Sequence, residues 1–157
     1  MPQTNGPNHD TDAALAALRA MVAIADSTVE DHAGQLTLTQ FRALRVVGER
    51  TPVTMSRVAA ELGLNPSTVT RACERLTSLD LLQKAQNPLN RRETLLAPTA
   101  RGRQLVERVD QRRRRVLDDV LGRLGDDVRA SVVAGFTAFA RAAAEGDPIP
   151  SIVAPGK

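Results

Sequence analysis

Between residues 54 and 99 the chain has little freedom in what it can become. The run T-M-S-R-V-A-A-E-L, residues 54–62, places Met55, Val58, Ala59 and Leu62 on one helical face. Thr54 is a good N-cap for that helix, and Gly63 supplies the left-handed residue that ends it. Asn65 caps a second helix over residues 65–79, with Pro66 at its first position, where a missing N–H costs nothing. Its residues Val69, Ala72, Cys73, Leu76 and Leu79 share a side and are expected to pack inward. A hairpin follows, with strands over 81–86 and 93–97 and the tip N-P-L-N-R-R over 87–92. Pro98 ends the second strand, which suits an edge strand. Helix, tight turn, helix and basic-tipped hairpin, in that order, make a winged helix-turn-helix, an arrangement that sets a helix in the major groove of duplex DNA.

The flanking sequence reads as helical. A first helix is expected over residues 12–31, with Leu15, Leu18, Met21, Val22, Ala25 and Val29 on one face. Thr37 starts a second, with Gln40 three residues on completing a capping box and Leu38, Phe41, Leu44 and Val47 as its buried stripe. After the hairpin, Thr99 opens a long helix to about residue 121. Gly122 and Gly125 bracket a break, and Asp126 or Asp127 opens a last helix that buries Val128, Val132, Phe136 and Phe139. The expected fold is therefore mainly α, with six helices and a small β-hairpin wing. It forms a single domain over residues 11–147, with a DNA-binding lobe over 37–99 and helices over 12–31 and 100–145 outside it. Residues 1–10 and 148–157, rich in proline, glycine and asparagine, read as disordered tails.

Charge distribution agrees with a nucleic-acid reader. Residues 65–115 hold 12 Arg or Lys against 5 Asp or Glu, whereas the rest of the chain holds 9 against 13. With the inward face of the fourth helix assigned to the core, Ser67, Thr68, Thr70, Arg71, Glu74 and Arg75 face out. Short hydroxyl side chains and the unpaired N–H groups of a first turn suit phosphates and base edges. Arg71 sits one turn in, where its planar fork can grip a guanine edge. At the hairpin tip Arg91 and Arg92 suit the negative potential of a minor groove. Thr54 and Ser56, at the start of the third helix, are candidates for holding a phosphate.

These residues resemble the MarR (multiple antibiotic resistance regulator) family of winged-helix regulators. The similarity spans about residues 12–145 and is densest over 62–102. It rests on S-T-V-T-R-A-C-E-R-L, then L-L-Q-K, then N-R-R-E-T-L-L-A-P-T-A-R-G, with Thr99 and Gly102 opening the fifth helix. Two positions depart from the family's pattern. Asn90 stands where the wing usually has an aspartate; it can still cap the turn by hydrogen bonds, but it cannot form the ion pair that would steer a neighbouring arginine. Asp80 stands where a glycine usually ends the recognition helix; aspartate tolerates that left-handed site better than most residues.

The resemblance implies a sequence-specific, double-stranded-DNA-binding transcription regulator, with repression as the favoured mode. It implies a homodimer joined through the N- and C-terminal helices, on a pseudo-palindromic operator with half-sites about one DNA turn apart (roughly 34 Å). Ser67, Thr68, Thr70, Arg71 and Arg75 would work the major groove and Asn90, Arg91 and Arg92 the minor groove. Leu15, Leu18, Met21, Val22, Val132, Phe136 and Phe139 would form the dimer interface. Apolar stripes at both chain ends, more than a small lobe can bury, support that pairing independently. The resemblance also implies a small-molecule effector between the dimerisation helices and the lobe, with pocket residues that the sequence leaves unidentified.

Other chemistry finds little support. His9 and His32 are isolated, no cluster has metal-ligand spacing, and there is neither a phosphate loop nor a nucleophile–base arrangement. No enzyme activity, cofactor or metal is expected. A lone Cys73 excludes an internal disulfide, fits a reducing compartment, and on the inward face reads as packing rather than a redox sensor. No apolar run is long enough to span a membrane and the N-terminus lacks a secretory pattern, so the cytoplasm is the expected address. Within Arg112 to Arg115, Arg114 lies four residues from Asp110 and Asp118, and Arg115 four from Asp119. Such spacing favours pairing on the helix surface over contact with phosphates. The competing function is a winged-helix protein–protein adaptor, which would show apolar or aromatic anchors on the outward face of the fourth helix.

Overall fold

The structure, a computed structural model, describes residues 7–34 and 36–145. The expected tail over 148–157 lies outside the described residues, as do residues 1–6. Six helices and three short strands follow in the order α1 (Pro7–Ala33), α2 (Leu38–Arg50), β1 (Val53–Thr54), α3 (Met55–Leu62), α4 (Pro66–Ser78), β2 (Leu82–Gln86), β3 (Thr94–Pro98), α5 (Ala100–Leu121) and α6 (Asp126–Glu145). α1 begins at Pro7, so residues 7–10 belong to a helix rather than to the expected tail. Proline is well suited to a first helical turn, and Asp10 there complements the helix dipole.

The sheet is antiparallel with order β1-β3-β2, so the hairpin is joined by a third strand that sequence reading omitted. β1 is only two residues long, pairing Val53 with Leu96 and Thr54 with Leu95, and is too short to carry a periodic signal. β3 is therefore the central strand, not an edge. Pro98 is tolerated because it lies beyond the reach of β1 and pairs only with Leu82 of β2.

One core holds the lobe together. Phe41, Leu44 and Val47 from α2, Val58 and Leu62 from α3, and Val69, Cys73 and Leu76 from α4 are buried against Leu82 and Leu96 of the sheet. Leu105 and Val109 of α5 and Val29 of α1 close the same core. Each such side chain contributes about 1.5–3 kcal/mol relative to exposure. Leu38, expected in the stripe of α2, stays exposed at the helix's first position.

The ends of the chain behave differently. α6 buries no residue: Val128, Phe136 and Phe139 are exposed and Val132 is half-buried. The expectation that α6 buries this stripe is corrected for the single chain, because α6 follows the Gly122–Gly125 break away from the lobe. Leu15, Leu18, Met21 and Val22 of α1 are likewise exposed, and burial along α1 begins at Thr28 and Val29. No helix among the described residues is long and apolar enough to cross a membrane.

Candidate nucleic-acid interface

Local chemistry sets the angle between α3 and α4. Thr54 caps α3 by accepting from the Arg57 N–H (3.3 Å), and Gly63 ends it at φ 61°. The Leu64 N–H then donates to the Ala59 carbonyl (3.1 Å), turning the chain sharply towards α4. Asn65 accepts at Oδ1 from both the N–H and the hydroxyl of Ser67 (each 2.9 Å), which closes the first turn of α4.

The far end of α4 is held as firmly. Asp80 takes the left-handed conformation expected of it, at φ 56°, and the Leu81 N–H donates to the Leu76 carbonyl (2.9 Å). The Thr99 hydroxyl donates to the Asp80 carbonyl (2.7 Å) and accepts from the Gly102 N–H (3.0 Å), locking α4 to the start of α5. Glycine at 102 is required by contact: a Cβ there would collide with the Leu81 carbonyl and press on Leu44. The Thr99–Gly102 pair is thus a joint between recognition helix, wing and α5.

The buried face of α4 is Val69, Ala72, Cys73 and Leu76, with Leu79 half-buried, and its outward face carries Ser67, Thr68, Arg71, Glu74 and Arg75. Thr70 is half-buried and its hydroxyl donates to the Pro66 carbonyl (2.9 Å), so only its lone pairs and methyl group face outward. The Ser67 hydroxyl is similarly committed to Asn65. At the centre of the face, the Thr68 hydroxyl and the Arg71 guanidinium have no partner among the described residues. Beside them Thr37, Thr39 and Gln40, at the start of α2, line a shallow polar cleft shared with Thr68 and Arg71. Sequence reading missed this flank because the same residues already explain themselves as a helix cap. Thr37 accepts from the Gln40 N–H while Gln40 Oε1 accepts from the Thr37 N–H.

The wing is more ordered than the loss of an aspartate implies. Asn90 Oδ1 accepts from the Arg92 N–H (3.2 Å), and Asn87 Oδ1 accepts from the Leu89 N–H (3.0 Å). Asn87 Nδ2 donates to Glu93 (3.0 Å) and Gln86 Nε2 donates to the Arg91 carbonyl (3.0 Å). Side-chain amides thus brace the tip, which leaves the exposed Arg91 and Arg92 guanidinium groups without an acidic partner among the described residues.

Several other arginines are engaged elsewhere. Arg57 on α3 pairs with Glu61 (3.0 Å), which also pairs with Arg50 (3.1 Å). Desolvation pushes the Glu61 carboxyl upward, but the two guanidinium groups outweigh it and hold the carboxyl below its ordinary range. Ser56 is exposed, with its hydroxyl 3.1 Å from that of Thr54. In the arginine run, the expected pairings of Arg114 and Arg115 with Asp110, Asp118 and Asp119 do not form. Instead Arg113 turns inward, and Arg115 reaches only the Gln111 carbonyl (3.4 Å). Cys73 is fully buried, and desolvation pushes its thiol up to about 11.

Comparison with known proteins agrees with this geometry. A MarR-family model matches residues 35–93, which run from the start of α2 to the wing tip. The crystal structure of RV1404 from Mycobacterium tuberculosis superposes with a TM-score of 0.83 at 31% identity, covering 92% of this chain and 99% of that one. A MarR crystal structure gives 0.70 at 20% identity, over 83% of this chain and 97% of that one. FabT of Streptococcus pneumoniae, solved in complex with DNA, gives 0.71 at 16% identity, over 88% and 97%. No curated protein sequence matches the chain. Near-complete overlap with a relative above 30% identity, together with a helix-turn-helix and wing in matching order, shows that the chain belongs to the MarR family of winged-helix transcription regulators.

Proposed function

We propose that two copies of this chain form a repressor that occupies a pseudo-palindromic operator and blocks transcription from it. The observation that carries this reading is the set of guanidinium groups at Arg71, Arg91 and Arg92 that have no acidic partner among the described residues, on one braced helix and one braced loop. Thr68 and Arg71, with Ser67, Thr70 and Arg75 around them, enter the major groove, while Asn90, Arg91 and Arg92 lie along the minor groove. Thr54 and Ser56 hold a phosphate beside the α3 terminus. Leu15, Leu18, Met21, Val22, Val132, Phe136 and Phe139 pair the subunits: all but the half-buried Val132 are exposed apolar groups in the single chain. A protein adaptor would need apolar anchors on the outward face of α4, where this chain has hydroxyls and charges.

A cleft of about 340 Å³ between α2 and α5 supports release by a small molecule. Leu44, Pro98 and Val106 give it an apolar floor, and its rim carries both arginines (Arg103, Arg114) and carboxylates (Glu107, Asp110), which suits a small amphipathic molecule. The test of DNA reading is a gel-shift titration against duplexes selected from a random pool. Arg71→Ala should cost about 1–3 kcal/mol and relax base preference, whereas Arg92→Ala should weaken binding evenly and lower the salt slope by about 1. Unchanged affinity in both variants would refute this reading surface.

A further inference from the structure

Arg113 occupies the one place where both protruding helices leave the lobe. Along α5 the last buried residue is Val109, and Leu117 and Val120 beyond it are exposed. Along α1 burial begins at Thr28, with Leu18, Met21 and Val22 exposed before it. Arg113 bridges these two boundaries across 85 residues of sequence: its Nε donates to the Thr28 hydroxyl oxygen (3.1 Å). A second nitrogen donates to the Ala25 carbonyl (3.3 Å). Its guanidinium carbon stands 5.0 Å from the ring centre of Phe41, in the core of α2.

The bracket extends into the lobe. Asp110 lies 3.9 Å from Arg113 and 2.9 Å from Arg45 on α2, which Glu49 also engages at 2.9 Å. Thr28 is the only buried polar side chain among the described residues, and its hydroxyl donates to the Ile24 and Ala25 carbonyls while accepting from Arg113. A planar fork that satisfies two acceptors and stacks on a ring defines an angle, not merely a contact. That angle is the one between the exposed ends of α1 and α5 and the lobe that carries α4.

We infer that Arg113 is a positioning residue for operator choice: by holding the end helices at one angle to the lobe, it sets the half-site spacing that the dimer accepts. This rests on the dimeric DNA-binding function proposed above. The spacing follows because, in a twofold dimer, any tilt of the lobe on its end helices moves the two α4 helices apart or together.

The experiment compares the selected operator with duplexes whose half-site centres are one base pair nearer and one farther apart. The wild-type protein should prefer its own spacing by at least tenfold, on the scale of lost contacts in one half-site. Arg113→Met keeps an unbranched apolar stem but removes the fork, and should lose about tenfold in affinity for the native spacing. Its preference among spacings should shrink to about threefold or less. Thr28→Val, which removes a single hydroxyl, should shift the preference in the same direction, and the double variant should be no worse than Arg113→Met alone. A residue that only adds stability would lower the melting temperature and leave the spacing ratio intact. That result in a folded, dimeric Arg113→Met or Thr28→Val protein overturns the inference while leaving the repressor reading standing. Wild-type protein that binds no duplex at low ionic strength overturns both.

Discussion

Leu76 and Phe136 belong to equally regular apolar stripes, yet Leu76 is 0% exposed and Phe136 is 41% exposed. The stripe on α4 meets α2, α3 and the sheet within the same lobe. The stripe on α6 meets no cover among the described residues. Helical spacing therefore reports that a face is meant to be covered and is silent about which molecule covers it. Lobe and end helices are built from the same periodic code, and they differ in whether the chain itself completes the packing.

The comparison breaks most readily at Leu76. Leu76→Ala should cost about 2–5 kcal/mol at every protein concentration, whereas the cost of Phe136→Ala should grow with concentration as the proposed dimer becomes the populated state. Chemical denaturation at two concentrations separates them. If both variants lose stability independently of concentration, the two regions are not distinct in kind.

Cys73 sharpens the lobe side. With its thiol held near 11 against an ordinary value of 9.0, it carries about 100-fold less thiolate at neutral pH than an exposed cysteine. Labelling by a thiol reagent should be slowed at least that much until the protein is unfolded. The sign for stability is also set: the unfolded thiol ionises first, so stability should decline as pH rises from about 9 towards about 11. Fast labelling of the native protein would show that the core beneath the recognition helix opens readily.

At the joint between the regions, Gly102→Ala should cost about 1–3 kcal/mol, because the Leu81 carbonyl has no room to retreat while Thr99 holds Asp80. A melting temperature equal to that of the wild type would mean that α5 can slide on the lobe. The smallest effect belongs to the wing. Asn90→Ala should weaken DNA binding by about 0.5–1 kcal/mol and speed hydrogen exchange at the Arg92 amide, with no change in thermal stability.

Much of the lobe was legible because its signals are local. Thr37 with Gln40, Thr54, Asn65 before Pro66, and Gly63 each state a helix boundary within a few residues, and the apolar spacing between them states which side is inward. β1 escaped because two residues show no alternation, and its partner Leu96 lies 43 positions away from Val53. Asn90 was legible as a turn cap, and its amide oxygen accepts from the Arg92 N–H; the rest of the wing's bracing escaped because the bonds of Gln86 and Asn87 depend on how the tip folds back on the strands. Arg113 escaped because its partners, Thr28 and Ala25, are distant in sequence. Spacing along α5 pointed instead to the neighbouring arginines.

The amide scaffold of the hairpin tip carries one more consequence. Electrolyte added to the solution dampens the pull between guanidinium groups and a polyanion, but it has no hold on a bond between an asparagine oxygen and a peptide hydrogen. A loop kept in shape by opposite charges would slacken as its attraction faded. This one keeps its outline while only its grip declines.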